Sequence, residues 1–157
     1  MSATGEDVPD RPRPTPSALT EGFWAAAREH RLVVQQCEGC GLLRHYPQPL
    51  CPACHSTSST WAELSGRGTV HTFTVTHQAF HPAWADRVPY AVATIELAEG
   101  LRMISDLPPE DTGRVAIGLP VECFFEDHAL GDGTRFSFPR FRLAAPDDGG
   151  APRDRRE

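Results

Sequence analysis

Cys37-Glu38-Gly39-Cys40 and Cys51-Pro52-Ala53-Cys54 are two Cys-x-x-Cys pairs separated by ten residues. Such a pair forms a tight turn that presents two sulfur atoms to one ion, and a second pair at hairpin distance completes a tetrahedron. Because all four positions are cysteine, no coordination position is left for water, which is typical of a structural zinc site. The spacing therefore predicts zinc held by Cys37, Cys40, Cys51 and Cys54, with an architectural task.

Three other chemistries match parts of this pattern. Disulfides form in oxidising compartments, which a protein reaches by means of a secretion signal. Residues 1–17 lack the apolar core of such a signal, so we expect a cytoplasmic protein without disulfides. Haem attachment matches Cys51-Pro52-Ala53-Cys54-His55 but leaves Cys37 and Cys40 without a role. A redox-active pair needs a strand–helix–strand unit, which flanks neither pair. Structural zinc is the interpretation that uses all four cysteines, with His55 in an exposed loop.

Composition narrows the class of protein. The chain has 157 residues, of which 39% are hydrophobic and 23% charged, as in a soluble globular protein of one domain or two small ones. No stretch approaches the roughly 20 apolar residues of a membrane-spanning helix. The net charge is −6, and residues 61–145 hold seven arginines against eleven acidic residues. This acidic balance disfavours nucleic-acid binding, which depends on neutralising phosphates.

The first 60 residues divide into three predicted parts. Residues 1–16 contain four prolines and predict a disordered arm. Residues 17–32 predict an N-terminal helix, whose Phe23 and Trp24 either pack on the protein's own core or dock a partner subunit. Residues 33–60 predict a zinc ribbon, which is too small to fold without its metal.

From residue 61 to residue 145 the hydrophobic period changes to two. The predicted strands are Val70–Thr76, Ala91–Leu97, Leu101–Ser105, Val121–Phe125 and Arg135–Leu143. About five antiparallel strands with little helix predict a small closed or partly closed barrel. In the first strand, alternation places His71 with Phe73 and Val75, and Cys123 is expected to be a buried core thiol. Residues 146–157 predict a flexible tail.

These parts together resemble a known family. The resemblance is carried by Phe23-Trp24, the Cys-x-x-Cys-Gly and Cys-Pro-x-Cys ribbon, Gly66-Arg67-Gly68-Thr69-Val70, Pro89-Tyr90-Ala91-Val92, the segment 117–122 and Phe138-Pro139-Arg140-Phe141. The chain resembles the zinc-ribbon OB-fold proteins that accompany acyl-CoA enzymes, over roughly residues 17–143. One departure is His55, where many such ribbons have glycine.

The resemblance implies a mainly β fold with an N-terminal helix, a zinc ribbon and an antiparallel OB-fold barrel at residues 61–145. It also implies a noncatalytic accessory subunit in a hetero-oligomer. Family members associate with thiolase-like enzymes, including lipid-transfer-type aldolases of sterol side-chain breakdown, or with hot-dog-fold hydratases. They help to bind the acyl-CoA substrate at the shared site. Catalytic groups would then belong to the partner, and lipid or sterol side chains are the expected substrates.

Three other features carry weaker signals. His71, His77 and His81 follow one another on and after a strand with only Asp86 nearby, so a wet sheet surface or a loop under a partner is expected for them rather than a second site. Gly66-Arg67-Gly68 lacks the lysine and helix of a phosphate loop and favours a barrel corner, although Arg67 could contact a CoA phosphate.

The loop from Gln78 to Tyr90 is long and apolar. Its Phe80 and Trp84 could cover an acyl chain, lie in a subunit interface or cap the barrel.

An alternative function is single-stranded nucleic-acid binding, since zinc ribbons and OB barrels both serve it. The residues that would form its basic, aromatic patch are Arg135, Arg140 and Arg142 with Phe136, Phe138 and Phe141.

Overall fold

The computed structural model describes residues 13–129 and 133–145. The predicted tail at 146–157 and most of the predicted arm at 1–16 lie outside the described residues. The helices are α1 (Glu21–Arg28) and α2 (Pro109–Thr112), and the strands are β1 (Val33–Cys37), β2 (Leu43–Arg44), β3 (Ser59–Glu63), β4 (Arg67–Thr76), β5 (Tyr90–Leu97), β6 (Arg102–Asp106), β7 (Pro120–Ala129) and β8 (Arg135–Leu143). The predicted mainly β architecture with a helix near the N-terminus is confirmed.

Helix α1 is shorter than the pattern at residues 17–32 predicts. His30 has a left-handed φ of 57°. The Arg31 N–H donates to the Ala26 carbonyl at 3.0 Å, and the His30 N–H donates to the Ala27 carbonyl at 2.9 Å. These two bonds form a Schellman motif, which ends the helix and turns the chain toward β1. In the described part of the chain, no helix has the length and apolar content to span a membrane.

The ribbon is a three-stranded antiparallel sheet in the order β2-β1-β3. Gln35 at its centre lies opposite Arg44 on one side and Trp61 on the other. Val34, whose side chain alternates with that of Gln35, is 1% exposed and belongs to the main core. The ribbon thus contributes one face to the core that it shares with the barrel.

The barrel is a five-stranded antiparallel sheet in the order β6-β5-β4-β7-β8. Its two edge strands meet through side chains. Arg140 on β8 donates two hydrogen bonds to Asp106 on β6, at 3.0 and 2.6 Å, and the Phe141 N–H donates to Ser105 Oγ at 3.2 Å. β6 and β8 are not paired by backbone hydrogen bonds, so these side-chain contacts close the gap between them, here called the seam. The predicted partly closed barrel is therefore confirmed.

One detail of the predicted barrel pattern is wrong. The pairing of β4 with β5 shifts between Val70 and Thr72, which is a β-bulge at His71. As a result, Val70 and Phe73 both contact the core. His71 is turned to the outer surface, where its Nδ1 lies 3.3 Å from Glu96 Oε2. A bulge reverses the face of the sheet on which every later side chain of the strand lies. A prediction based on strict alternation cannot detect it.

A single hydrophobic cluster joins the helix, the ribbon and the barrel. It contains Phe23 of α1, Val34 of β1, Ile95 of β5 and Phe141 of β8. Next to it, the Trp24 ring packs edge-on against Phe138, with 5.7 Å between the ring centroids. The Phe23-Trp24 pair therefore packs on the protein's own core, the first of the two predicted alternatives.

Candidate metal centre

The four cysteines of the ribbon converge on one point. Their Sγ atoms all lie within 4.8 Å of one another, with 3.5 Å between Cys37 and Cys54 and 3.6 Å between Cys40 and Cys51. A tetrahedral zinc ion with Zn–S bonds of about 2.3 Å places its sulfur ligands about 3.8 Å apart. The donor set and its spacing therefore fit zinc, as predicted. Residues 13–129 and 133–145 contain no other group of three or more possible metal ligands.

Two similar turns position these sulfur atoms. In the first, the Gly41 N–H donates to the Cys37 carbonyl at 2.8 Å; in the second, the His55 N–H donates to the Cys51 carbonyl at 2.9 Å. The turn-closing residues have left-handed φ values, 75° for Gly41 and 61° for His55. His55 therefore adopts the same left-handed backbone conformation as Gly41 in the first turn, and the ligand geometry is kept.

Backbone amides stabilise the thiolate form at the start of each turn. The amides of Cys54 and of the residue before it donate to the Cys51 sulfur and lower its pKa to about 6. Burial by itself would raise the pKa of Cys37, but the Cys40 amide and the Cys54 side chain outweigh it, and the pKa is lowered. The Ser56 amide by itself would lower the pKa of Cys54, but the neighbouring Cys37 and Cys40 side chains outweigh it and raise this pKa to about 12. Four thiolates at this spacing therefore require a cation, such as a metal ion, to neutralise them.

The centre lies at the border between the ribbon and the barrel. Cys37 and Cys51 are buried, whereas Cys40 and Cys54 are exposed. A groove of about 500 Å³ separates the two turns from the connection between β5 and β6; its lining includes Cys40, Leu42, Leu43, Ala53, Glu99 and Leu101. The predicted burial of the fifth cysteine, Cys123, is only partial: its side chain is half-buried against the core, and burial raises its pKa to about 12.

The three histidines of the predicted surface group have separate positions. His71 faces Glu96 on the outside of the barrel. His77 is exposed. His81 precedes a short 3-10 helix at Pro82–Trp84, and its Nδ1 accepts a hydrogen bond from the Ala83 N–H at 3.2 Å. The structure thus does not bring them together into a site.

The Gly66-Arg67-Gly68 segment forms a tight corner of the barrel. Gly66 has a φ of +73°, and a Cβ on Gly68 would lie 2.5 Å from the Glu96 carbonyl oxygen. Both glycines are therefore required by the backbone, which agrees with the predicted corner. Arg67 is exposed, and its contact with a CoA phosphate stays a prediction.

The loop between β4 and β5 folds back on the barrel. Ala83 is 5% exposed, the Arg87 guanidinium lies 5.7 Å from the Trp84 ring centroid, and Arg87 pairs with Glu126 at 3.2 Å. Phe80, in contrast, is 80% exposed. Most of the loop therefore caps the barrel, while Phe80 remains available for an outside contact.

The patch required for nucleic-acid binding does not form. Phe141 and Phe136 are 0% and 9% exposed, so they cannot stack on bases. Arg140 is 9% exposed and pairs with carboxylates of two neighbouring strands. Arg142 pairs with Glu122 at 2.8 Å. The structure thus favours the accessory-subunit interpretation over the nucleic-acid alternative.

The sequence interpretation missed two polar residues of the ribbon. Arg44 is 6% exposed, and its Nε and Nη1 have no hydrogen-bond partner among the described residues; the same holds for Nδ1 of the neighbouring His45. Burial lowers the pKa of His45 to about 4, so this ring is neutral at physiological pH. The available signal was an arginine within a short apolar run, directly after Leu42 and Leu43.

Two family models match consecutive parts of the chain. Residues 24–60 match the rubredoxin-like zinc ribbon domain of ChsH2, and residues 61–126 match the C-terminal OB-fold domain of ChsH2. The first match contains all four clustered cysteines, and it supports zinc as the metal of the ribbon. The second match begins in β3 and extends into β7, which supports the OB-fold interpretation of the barrel.

Individual relatives agree with these models. The 3-oxo-4,17-pregnadiene-20-carboxyl-CoA hydratase alpha subunit of Mycobacterium tuberculosis is 39% identical over 115 residues, 73% of this chain and 36% of that protein. The chain thus spans about a third of the length of this hydratase subunit. A DUF35 domain-containing scaffold protein of Methanocaldococcus jannaschii is 36% identical over 107 residues, 65% of this chain and 73% of that protein.

A solved structure extends the likeness to three dimensions. A chain of the Ltp2-ChsH2(DUF35) aldolase superposes with a TM-score of 0.74 and 35% sequence identity, covering 85% of this chain and 100% of that chain. The ribbon, the barrel and their arrangement are therefore shared along the whole of the solved chain. With its four clustered cysteines and its two consecutive domain matches, this chain belongs to the DUF35 family of zinc-ribbon OB-fold proteins, which includes the ChsH2 domains.

Proposed function

We propose that this chain is a noncatalytic accessory subunit that binds a thiolase-like enzyme, such as an aldolase, or a hydratase, and helps it to bind acyl-CoA. The observation that supports this most directly is its likeness to a chain of the Ltp2-ChsH2(DUF35) aldolase over the full length of that chain. The two other relatives are named as a hydratase alpha subunit and as a scaffold protein. All three names describe a polypeptide that works as part of a larger assembly.

The proposed ligands of zinc are Cys37, Cys40, Cys51 and Cys54. Four thiolates fill a tetrahedral shell, so zinc would supply stability to the ribbon rather than a position for substrate. Apart from the strands, the two turns are linked by the hydrogen bond that the Glu38 N–H donates to the Ser58 carbonyl at 3.1 Å. Ligation would hold them at a fixed angle, and with them the groove between the ribbon and the β5–β6 connection.

Two histidines of the predicted surface group have structural contacts that fit a noncatalytic role. His71 pairs with Glu96, and His81 accepts the hydrogen bond that begins the 3-10 helix. Each of these two histidines therefore has a structural contact within this chain. General acid–base catalysis instead requires the catalytic groups to lie within reach of the same substrate atom. In the proposed assembly, the groups that react with the thioester belong to the partner enzyme.

The proposed substrate class is an acyl-CoA thioester, with a sterol side chain as the acyl group. Support comes from the name of the mycobacterial relative, a hydratase of a pregnadiene carboxyl-CoA. In this arrangement the barrel would shield the acyl-CoA channel at the subunit boundary and exclude water from it. Phe80, which is 80% exposed, is the apolar side chain best placed for such a contact.

The proposal is tested by affinity purification of the tagged full-length chain from its native cell. We expect an acyl-CoA enzyme to co-purify at a fixed ratio, and this enzyme to be identified by mass spectrometry. The purified pair should bind a steroid side-chain CoA thioester in calorimetry and turn it over, whereas the isolated chain should not. Recovery of a monomer alone, or sustained turnover by the isolated chain, would contradict the proposal.

A further inference from the structure

Arg44 is a buried cation without a counter-ion in the described structure. It lies on β2, the edge strand of the ribbon, and is 6% exposed. Nε and Nη1 of its guanidinium are fully buried and have no hydrogen-bond partner, and no described carboxylate pairs with it. Buried charges in proteins are normally paired, because removing an ion from water without compensation costs several kcal/mol. An exposed arginine, in contrast, is solvated by water and does not indicate a missing partner.

The neighbours of Arg44 cannot neutralise it. Gln35, directly opposite on β1, uses both ends of its amide: Nε2 donates to Ser59 Oγ at 3.0 Å, and Oε1 accepts from the Gln48 N–H at 2.9 Å. His45 is neutral and packs between the rings of Phe23 and Tyr46, with centroid distances of 5.7 and 4.2 Å. The counter-ion must therefore come from outside this group of residues.

Exposed apolar side chains concentrate on the same part of the ribbon. Leu42, Tyr46 and Leu50 are 38%, 61% and 46% exposed, and they make up half of the large exposed hydrophobic residues of the described chain. Arginine and aromatic residues, tyrosine among them, are enriched at protein interfaces, so exposed apolar side chains within six residues of a buried arginine in sequence are consistent with a docking surface. The guanidinium nitrogen Nη2 is not among the buried unpaired atoms, which makes it the donor that a carboxylate from outside would have to reach.

We propose that residues 42–50, here called the ribbon edge, dock the catalytic subunit, and that a carboxylate of that subunit pairs with Arg44. This inference rests on the proposed function and adds the surface and the chemistry of its partner. A carboxylate fits because a hydrogen bond from Nη2 to a negatively charged acceptor compensates the buried positive charge of the guanidinium, and such charge-assisted bonds are the stronger ones. Leu42, Tyr46 and Leu50 would surround this ion pair and exclude water from it.

The test compares two properties of Arg44→Met, which keeps the apolar length of the side chain and removes its charge. We expect the zinc-loaded isolated chain to have an unchanged or higher Tm, because an unpaired buried charge is lost. We expect the Kd for the purified catalytic subunit to rise about 10- to 100-fold, because a charged hydrogen bond across the interface is lost. Arg102→Met, on the outer face of the barrel, is the matched control and should change Kd by less than about threefold.

A second variant and photo-crosslinking locate the contact between the two subunits. Tyr46→Ser removes an exposed ring that also packs on His45, so it should raise Kd by more than any accompanying decrease in the Tm of the isolated chain accounts for. A photo-crosslinking amino acid at position 50 should attach to a catalytic-subunit peptide that contains Asp or Glu, whereas one at the exposed Ile104 of β6 should not. Neutralising that acid to Asn or Gln should remove the effect of Arg44→Met on Kd.

An unchanged Kd for Arg44→Met and Tyr46→Ser, with a wild-type complex that forms and turns over substrate, would overturn the ribbon-edge proposal and leave the proposed function standing. Crosslinks to the catalytic subunit from position 104 but not from position 50 would also overturn the ribbon-edge proposal and leave the proposed function standing. A wild-type chain that forms no complex would overturn both.

Discussion

The indole ring of Trp61 lies directly against the backbone of Gly22. A Cβ on residue 22 would stand 2.1 Å from Trp61 Nε1, which is closer than any real contact. Gly22 is in the first turn of α1 and Trp61 is in the middle of β3, so this approach sets the distance between the helix and the ribbon. Only glycine allows it.

Gly22→Ala should therefore destabilise the protein. Alanine is favoured over glycine within a helix by about 1 kcal/mol, but the forced displacement of the indole costs typically 1–3 kcal/mol, so we expect a net decrease in the free energy of unfolding. The measurement is denaturant unfolding followed by tryptophan fluorescence. Gly113→Ala is the control, since a Cβ there meets nothing within 4 Å and its φ is −82°, and its effect should stay within about 0.5 kcal/mol. Equal stability of the two variants would contradict the contact.

Cys51→Ser should abolish stoichiometric zinc binding. Cys51 is 0% exposed, and a serine there offers a hydroxyl in place of a thiolate, so both a ligand and the fit of the turn are lost. Elemental analysis of the purified wild type should give about one zinc per chain, and the variant should give little zinc and a lower Tm. Cys123→Ser, outside the cluster, should keep the zinc. Full zinc content in Cys51→Ser would contradict the four-thiolate assignment.

His55→Gly should stabilise the zinc-loaded protein. His55 has a φ of 61°, a conformation that costs a residue with a Cβ about 1 kcal/mol and costs glycine almost nothing. We expect the free energy of unfolding to increase by roughly this amount in chemical denaturation at saturating zinc. The converse change, Gly41→Ala in the first turn, should lower it similarly. If neither substitution alters stability, the two turns do not share this backbone conformation.

The seam of the barrel should weaken in acid. Burial by itself would raise the pKa of Glu126, but the hydrogen bond and charge of Arg140, together with Arg87, hold this pKa below its ordinary value. Because the folded-state pKa is the lower one, the stabilisation is present above the ordinary glutamate pKa of about 4.3 and is lost as pH falls through the folded-state value. Glu126→Gln should flatten the dependence of unfolding free energy on pH below about pH 5. Identical profiles for the wild type and the variant would exclude this contribution.

The zinc site could be read from the sequence because its ligands are local. A Cys-x-x-Cys turn is closed by hydrogen bonds within five residues, such as that from Gly41 to Cys37, so the spacing alone determines where two sulfur atoms point. The period of two after residue 61 similarly follows from the alternation of side chains along a strand. These two local regularities were enough to predict the ribbon and the barrel.

Other features depend on residues that are distant in the chain. The bulge at His71 arises because β4 must pair with β5 and also bend toward β7, a requirement that the residues around position 71 do not reveal. Arg140 and Phe141 looked like an exposed basic and aromatic patch in the sequence. They are buried because β8 meets β6 across the seam, where Asp106 and Ser105 are their partners.

Local spacing by itself thus predicted zinc as the metal, the four cysteines that the structure brings together, and the helix, ribbon and barrel of the fold. Tertiary structure decided which polar groups are satisfied and which are not. Arg140 pairs with two carboxylates, whereas Arg44 pairs with none in the described part of the chain. The physical reason is that chelation by neighbouring residues needs only short loops, whereas pairing of a buried charge requires strands far apart in sequence to meet at one place.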